Sequence, residues 1–424
     1  MKKIIAWQCP VENDYHSHQE IKMTQKQILA MLALLWLAAC SAPSDQPAGL
    51  AVRKIPVPAQ SGSGEPNLVV SPQGQVFLSW IENRNSLRLS HLQEGSWSQP
   101  STIARGENWF VNWADFPAVC VLNNGSLAAH WLVKSGGSPY AYDIAMAFSH
   151  DGGATWSEPI TPHMDGTQSE HGFLSMIPWQ EDRLMAVWLD GRNTVAQAGG
   201  ERGAMTVRYA IIDDRGTIHE QGEIDSRTCD CCQTAIAATS SGAIMAYRDR
   251  SEAEIRDIAI SRYSQGRWDT PRLVHDDGWE IHGCPVNGPA LASSGDDVAL
   301  AWYTHAGGEG RVMLSFSTDG GEVFSQPLRV DDGDPIGRVD VVWLAPGEAM
   351  VSWMERIDSD WATIRVRRVR TDAGALQPSR VLTKIAAARS SGFPRMVVSD
   401  GAVIFAWTVA GEPSEVVSAL YELE

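Results

Sequence analysis

The fold is decided by a stretch that recurs along the chain, and its clearest copy, residues 116–161, reads FPAVCVLNNGSLAAHWLVKSGGSPYAYDIAMAFSHDGGATWSEPIT. Short runs of alternating apolar and polar residues are separated here by turns containing Asn and Gly, which is typical of antiparallel strands with one buried face. The second of these runs ends at Trp131. Equivalent runs end at six other aromatic residues: Trp80, Trp188, Tyr247, Trp302, Trp353 and Trp407.

The spacing of these aromatic residues is nearly constant. Neighbours are 51 to 59 residues apart, the extremes being Trp80 to Trp131 and Trp188 to Tyr247. A repeat of about fifty residues with four strand-like segments is characteristic of a β-propeller blade. The sequence therefore predicts an all-β propeller of four-stranded antiparallel blades, seven in number, with six as the alternative. The last unit, residues 392–424, has room for only three strands, so we expect residues 50–58 to supply the fourth and close the ring.

Residues 1–40 have the pattern of a targeting segment. The apolar run 28–39 is too short to span a bilayer, and it is typical of the hydrophobic region of a secretory signal. It ends in Leu37-Ala-Ala-Cys40, which resembles a bacterial lipobox and so implies lipidation of Cys40. Ser41 after the cysteine implies, by resemblance to Gram-negative lipoproteins, a lipid-anchored protein on the periplasmic face of the outer membrane. Met23 is an alternative start, residues 41–63 are predicted to form a flexible tether, and the propeller is assigned to residues 64–424.

The charge of the chain narrows the choice of partners. Its formal net charge is −17 at pH 7, and such a surface excludes nucleic acid, whose phosphates need Lys and Arg. The charge does not select any other partner. Propellers host many unrelated activities, so function has to be argued from individual residues.

Two turns carry a resemblance to a known family. Residues 149–156 (SHDGGATW) and 317–324 (STDGGEVF) resemble the Asp-box of the sialidase superfamily. In such a turn the carboxylate accepts hydrogen bonds from backbone N–H groups and glycine takes the positive-φ position. The motif braces turns and does not itself catalyse, so the resemblance speaks first to the fold.

The residues that precede each inner strand or follow each aromatic residue should converge on one face of the ring, near its axis. Because arginine binds carboxylates through two parallel hydrogen bonds, this face is predicted to bind an anionic carbohydrate. The candidate catalytic residues are Asp115, Arg192, Arg248, Arg338 and Arg395. The candidate ligand-binding residues are Asp190, Asp249, His171, Asn287 and Asp340.

The sialidase resemblance implies an enzymatic alternative, an exo-α-sialidase-like glycoside hydrolase. That family uses three arginines, an aspartate acid/base and a Tyr–Glu nucleophile pair, and Asp115 takes the acid/base role by position. The chain departs from the pattern in having Lys54-Ile55-Pro56 where the family has Arg-Ile-Pro. No Tyr–Glu pair is assigned from the sequence.

Cysteine offers a second chemistry. Cys229, Cys231, Cys232 and Cys284 precede the inner strands of two adjacent repeats, whereas Cys120 lies within an apolar strand and is expected to be a plain buried thiol. The four could form disulfides in an oxidising compartment. Alternatively they could hold copper or zinc, since soft thiolates suit copper(I) and zinc. A third possibility is a non-enzymatic scaffold whose axial face docks another envelope protein.

Overall fold

The computed structural model describes residues 49–195, 202–372 and 375–423, which form seven antiparallel sheets arranged as a β-propeller. The prediction of an all-β, seven-bladed ring is confirmed, and the six-bladed alternative is wrong. Residues 1–40, which include the predicted lipidation site Cys40, lie outside the described residues. Within the described part, no helix is long and apolar enough to cross a membrane.

The first three blades follow the chain from its N-terminal side. Blade 1 consists of Ser63–Val70, Val76–Glu82, Ser86–Gln93, Ser96–Trp97 and Ser101–Arg105. Blade 2 consists of Ala118–Val121, Leu127–Lys134 and Tyr142–Ser149. Blade 3 consists of His171–Trp179, Arg183–Asp190, Thr206–Asp213 and Ile218–Asp225.

The remaining blades complete the ring, together with three short 3-10 helices. Blade 4 consists of Ala235–Thr239, Gly242–Arg248, Ile258–Ser264, Arg267–Trp268 and Arg272–Leu273, and blade 5 of Ala290–Ser294, Asp297–Thr304, Arg311–Ser317 and Leu328–Arg329. Blade 6 consists of Pro335–Ala345, Glu348–Arg356, Trp361–Arg370 and Arg380–Ala386. Blade 7 consists of Arg395–Ser399, Ala402–Val409, Glu415–Glu422 and the N-terminal strand Arg53–Ile55. The 3-10 helices are Arg192–Thr194, Ala306–Gly308 and Arg389–Ser391.

The ring closes as the length of the last repeat predicts. The strand Arg53–Ile55 pairs antiparallel with Glu415–Glu422 and becomes the outer strand of blade 7. Ser418 Oγ donates to the carbonyl of Ile55 over 2.8 Å and accepts the indole N–H of Trp97 over 2.8 Å. Part of the predicted tether is therefore built into the ring, because its backbone donors and acceptors complete a sheet edge that would otherwise be exposed.

The repeated aromatic residues form the cores between the blades. Trp80, Trp302 and Trp353 are completely buried. A buried indole N–H needs an acceptor, and an acidic residue two positions later often supplies it. The pairs are Trp80–Glu82 (3.0 Å), Trp188–Asp190 (2.9 Å) and Trp353–Glu355 (2.5 Å). Acidic residues two positions after these tryptophans therefore serve as hydrogen-bond acceptors for the buried indole N–H groups.

Blade 2 departs from the predicted unit at its outer edge. The segment 156–161 forms only an isolated bridge, Met146 to Ile160, rather than a fourth strand. The preceding turn is braced as its sequence predicts. Ser149 Oγ accepts from the N–H of Gly153 over 2.9 Å, and Asp151 Oδ1 accepts from the N–H of Thr155 over 2.9 Å.

Candidate functional site

The inner strands surround an axial cavity of about 190 Å³. Three of the predicted site residues, Asp115, Asp340 and Arg395, line it. Every blade contributes to the wall, in chain order through Asn67, Ala118, Ser175, Thr234, Ala290, Asp340 and Arg395. The blade architecture therefore brings polar groups from distant parts of the sequence to one place.

Asp115 belongs to a buried chain of three acidic groups. Its Oδ1 accepts from the N–H of Phe173 over 2.8 Å, and its Oδ2 lies 2.9 Å from the hydroxyl of Tyr142, which also lies 2.8 Å from Glu170 Oε1. Burial raises the pKa of Asp115 to about 7 and that of Glu170 to about 8. Because one tyrosine hydroxyl has a single proton to donate, the chain is satisfied when one carboxyl is protonated and the other is ionised.

Asp340 and Arg395 face each other across the cavity wall. Asp340 Oδ2 accepts from the N–H of Met396 over 2.9 Å and lies 3.7 Å from Arg395 Nε. Burial raises the pKa of Asp340 above its usual value, despite the nearby arginine. The Arg395 side chain remains 28% exposed, so it keeps donors available toward the cavity.

Arg248 and Arg338 brace the backbone. Arg248 is 1% exposed, and its guanidinium donates to the carbonyls of Asn287 (2.9 Å), Arg256 (2.6 Å) and Tyr303 (2.6 Å). Arg338 donates to the carbonyl of Gly392 over 2.9 Å. Asn287 is engaged in the same way, since its Oδ1 accepts from the backbone N–H of Arg338 over 2.7 Å. These groups tie neighbouring blades together and do not present a free fork to a carboxylate.

The cysteines before blade 4 are brought together. The sulfur atoms of Cys229, Cys231 and Cys232 lie within 4.8 Å of one another. Cys229 Sγ is 3.0 Å from Cys232 Sγ and 4.0 Å from Cys231 Sγ. We call these three residues the thiol cluster. It adjoins the axis, because the next residue, Gln233, lines the axial cavity.

The thiol cluster has cationic surroundings. Arg256, which is 3% exposed, donates from Nη1 to Cys229 Sγ over 3.4 Å. Burial would raise the pKa of Cys229, but hydrogen bonds from the Cys231 and Cys232 thiols and the charge of Arg248 outweigh it and hold the pKa well below its usual range. Cys229 is thus set up as a thiolate.

Cys284, in the loop before blade 5, completes the group from the neighbouring blade. Its side chain is exposed, unlike those of Cys229 and Cys232. Interaction with Cys231 lowers its pKa, which shows that the two thiols influence each other. Cys120 lies apart in blade 2, where burial alone raises the pKa of its thiol, as expected for an inert side chain.

A second cluster lies between blades 2 and 3, and it contains three of the predicted residues. Arg192 donates to both carboxylate oxygens of Asp190 over 2.7 Å, and Arg192 Nη2 lies 3.2 Å from Asp165 Oδ2. His171, the first residue of blade 3, is fully buried and stacks on His163 with ring centroids 3.7 Å apart. Asp143 lies beside both rings. We call Asp143, His163, Asp165, His171, Asp190 and Arg192 the imidazole cluster.

Asp249 stands apart from these groups. It follows the second strand of blade 4, where its backbone bridges to Thr228, and burial raises the pKa of its carboxyl to about 6. The ligand-binding role of Asp249 stays a prediction of the sequence.

Sequence reasoning missed several residues of these clusters. His163 and Asp165 lie in the loop before blade 3, two positions apart, a spacing that a survey of titratable residues just ahead of the inner strands would have found. Tyr142 and Arg256 carried no signal, because an aromatic residue at a strand start and an arginine in a strand-flanking loop both have common structural roles. Only the fold brings them to Asp115 and to Cys229.

No protein-family model matches the sequence, and no curated protein matches it either. The fold is similar to a protein of unknown function from Dyadobacter fermentans (16% identity, 88% of this chain and 99% of that one, TM-score 0.49). It is also similar to the NanB sialidase from Streptococcus pneumoniae (10% identity, 82% of this chain and 83% of that one, TM-score 0.44). The intramolecular trans-sialidase from Ruminococcus gnavus is similar as well (11% identity, 89% of this chain and 96% of that one, TM-score 0.43). At these identities and TM-scores the likenesses carry no functional argument. The class of the protein, a seven-bladed β-propeller with polar clusters at its axial face, rests on its own strands and side chains.

Proposed function

We propose that this propeller binds a soft metal ion, of which copper(I) is the type, through the thiol cluster on its axial face. The observation that carries the proposal is the convergence of three sulfur atoms within 4.8 Å, in a fold large enough not to need disulfides for stability. Thiolate ligands select copper(I) and zinc over harder ions.

The distances between the sulfur atoms suit a metal after a small adjustment. Two sulfurs at about 2.3 Å from a tetrahedral metal are about 3.8 Å apart. The Cys229–Cys231 separation of 4.0 Å is close to that value, and the Cys229–Cys232 pair, at 3.0 Å, has to open by less than an ångström. Cys284 from the neighbouring blade interacts with Cys231, but it lies outside the group of three sulfur atoms within 4.8 Å and would have to move closer to act as a fourth ligand.

Charge also favours the proposal. Three thiolates with one copper(I) ion carry a net charge of −2, which is costly to bury without compensation. Arg256 and Arg248 place two permanent positive charges beside Cys229. They also favour thiolate over thiol, and the thiolate is the metal-binding form.

The second candidate is a glycoside hydrolase acting on an anionic sugar. It is favoured by one observation, the Asp115–Tyr142–Glu170 chain, which joins a tyrosine to two carboxyls at the axis. Tyr142, however, is only 1% exposed, and Arg248 and Arg338 are committed to backbone carbonyls. We therefore rank sugar hydrolysis below metal binding. Lipidation at Cys40, a location at the outer membrane and an envelope-protein partner stay predictions of the sequence.

The test is to measure metal content and free thiols together by native mass spectrometry on protein exported to the periplasm. We expect one equivalent of a soft metal, lost in Cys231→Ser and retained in the control Cys120→Ala, which changes a cysteine outside the cluster. Two closed disulfides with no metal would show instead that these cysteines brace the ring. Binding of a sialoside by metal-free protein would promote the second candidate.

A further inference from the structure

The imidazole cluster contains two stacked histidines held between two carboxylates. The His163 and His171 rings are parallel to within 3°, and both are at least nine-tenths buried. On one edge, Asp143 Oδ1 lies 3.8 Å from His163 Nε2 and 3.3 Å from His171 Nδ1. On the other, Asp165 Oδ2 lies 3.0 Å from His163 Nδ1 and 3.1 Å from His171 Nε2.

This arrangement leaves polar atoms without partners. Among the described residues, His163 Nε2, His171 Nε2 and Asp143 Oδ1 are buried and make no hydrogen bond. A neutral imidazole has one donor and one acceptor nitrogen, whereas a carboxylate can only accept. One charged and one neutral ring would satisfy the Asp165 edge, but His163 Nε2 and Asp143 Oδ1, which lie 3.8 Å apart, would still lack partners, and a cation at the Asp143 edge would supply a partner to both.

The Asp165 edge already has its cation. Arg192 lies 3.2 Å from Asp165 and pairs with Asp190. Asp165 Oδ2 lies 3.0 Å from His163 Nδ1 and 3.1 Å from His171 Nε2. It can accept an N–H from either ring, which turns the other nitrogen of that ring toward Asp143.

The Asp143 edge has no such cation in the described residues. We propose that Asp143, His163 and His171 form a metal site of their own, separate from the thiol cluster, for a divalent transition-metal ion of which zinc is the chemical type. Its ligand atoms, Asp143 Oδ1, His163 Nε2 and His171 Nδ1, lie within 4.8 Å of one another. Two imidazoles and a carboxylate suit zinc and its neighbours rather than copper(I) or calcium.

The surroundings have the features that support metal-bound histidines. Such residues usually donate their second ring N–H to a carboxylate, which fixes the tautomer and the ring orientation. Asp165 is placed to do this for both rings. The two rings are parallel and 3.7 Å apart, and the lone pairs of ring nitrogens lie in the ring planes, so one ring has to tilt for both nitrogens to reach one ion. The side chain of Asp143 is 31% exposed, so an ion can reach this edge from solvent.

The proposal does not depend on the thiol cluster, and its test separates the two sites. The probe is cobalt(II), added to the full chain in which Cys229, Cys231, Cys232 and Cys284 are all changed to Ser. We expect one bound equivalent with visible d–d bands and no thiolate charge-transfer band. Asp143→Asn and His163→Gln should each lose this equivalent. His219→Gln, which changes another carboxylate-paired histidine (Asp213, 2.9 Å), should keep it.

Absence of stoichiometric cobalt(II) and zinc(II) binding in the folded four-serine protein would overturn the proposal, as would binding that survives both Asp143→Asn and His163→Gln. If the four-serine protein does not fold, the same variants are made in the native chain. There, His163→Gln should remove one bound cobalt(II) equivalent together with its share of the d–d absorption, and it should leave any thiolate charge-transfer band intact. Loss of the thiolate band alone in a cysteine variant is the result expected for the thiol cluster and leaves this site unaffected, whereas absence of any thiolate band in the native chain would count against the thiol cluster and not against this site.

Discussion

The two clusters on the axial face are held in opposite electrostatic surroundings. The sulfur atoms of the thiol cluster are flanked by arginines, and Arg256 donates directly to Cys229. The rings of the imidazole cluster are flanked by carboxylates, with Asp143 and Asp165 on their two edges. Positive surroundings favour thiolates, and negative surroundings favour a cation bound to neutral imidazoles. Under the two proposals, neighbouring blades of one repeat fold select different ions because the charges around their loops differ.

The largest effect should come from removing the central sulfur. Cys229 contacts both other thiols of its cluster, so Cys229→Ser should weaken copper(I) binding by at least about 100-fold, at or beyond the upper end of losses seen for outer-shell partners. Competition against a chromophoric copper(I) chelator measures this. The imidazole cluster should keep its cobalt(II) equivalent, and equal loss at both clusters would mean that they are not separate sites.

The next effect should come from the arginine beside the sulfur. In Arg256→Gln the pKa of Cys229 should rise, because the hydrogen-bonded charge that favours the thiolate is gone. A rise of one unit corresponds to about a tenfold smaller thiolate fraction below the pKa, and it can be read from the pH dependence of the thiolate ultraviolet absorption, because Cys229 is too buried for direct alkylation.

Two companion variants make that result specific. Arg256→Lys should bring the pKa of Cys229 part of the way back, because lysine keeps the positive charge. Arg250→Gln removes an arginine that pairs with Asp230 and Glu254 rather than with sulfur, and it should leave the Cys229 profile in place. An unchanged profile in Arg256→Gln would contradict the role given to the cationic surroundings.

Removing the arginine of the imidazole cluster should strengthen metal binding rather than weaken it. Arg192 neutralises Asp165 and Asp190, so Arg192→Gln makes the surroundings more negative. We expect zinc(II) or cobalt(II) to bind a few-fold more tightly, in line with about 1 kcal/mol for a partly exposed ion pair. Isothermal titration calorimetry of the four-serine protein measures this affinity. Weaker binding in folded protein would contradict the electrostatic contrast between the two clusters.

The smallest effect on metal binding should come from the carboxyl chain of Asp115, Tyr142 and Glu170. Burial raises the pKa of Asp115 to about 7, so between about pH 4 and pH 7 the folded state binds a proton that the unfolded state has lost. Stability should therefore fall as the pH rises through this window, by up to about 1.4 kcal/mol per pH unit from this group. Asp115→Asn should flatten that slope in urea unfolding experiments, while cobalt(II) binding at the imidazole cluster stays unchanged.

The architecture could be predicted from the sequence because it depends on repetition. Seven aromatic positions at a regular spacing, with Gly turns between alternating runs, define the blades, and the short last repeat indicates the closing strand. The fourth strand of blade 2 could not be predicted in the same way. Trp156 and Pro159 look like the edge strands of other blades, but only a bridge at Ile160 forms.

The site could be predicted only in part. The thiol cluster is close in sequence, so Cys229, Cys231 and Cys232 could be grouped before the structure was known. The arginines could not be assigned, because whether a guanidinium meets a ligand or a carbonyl depends on contacts between blades, as Arg248 and Tyr303 show. The stacking of His163 on His171 joins a loop to a strand start, and no sequence pattern reports it.

The central claim, a soft metal held by sulfur at the axial face, is tested most directly by X-ray absorption at the copper edge. The sample is the full chain loaded with one equivalent of copper(I) under reducing conditions. We predict a first shell of three or four sulfur atoms near about 2.3 Å, with sulfur replaced by a lighter scatterer in Cys231→Ser. A first shell dominated by nitrogen or oxygen, or copper that does not remain bound in stoichiometric amount, would contradict the account.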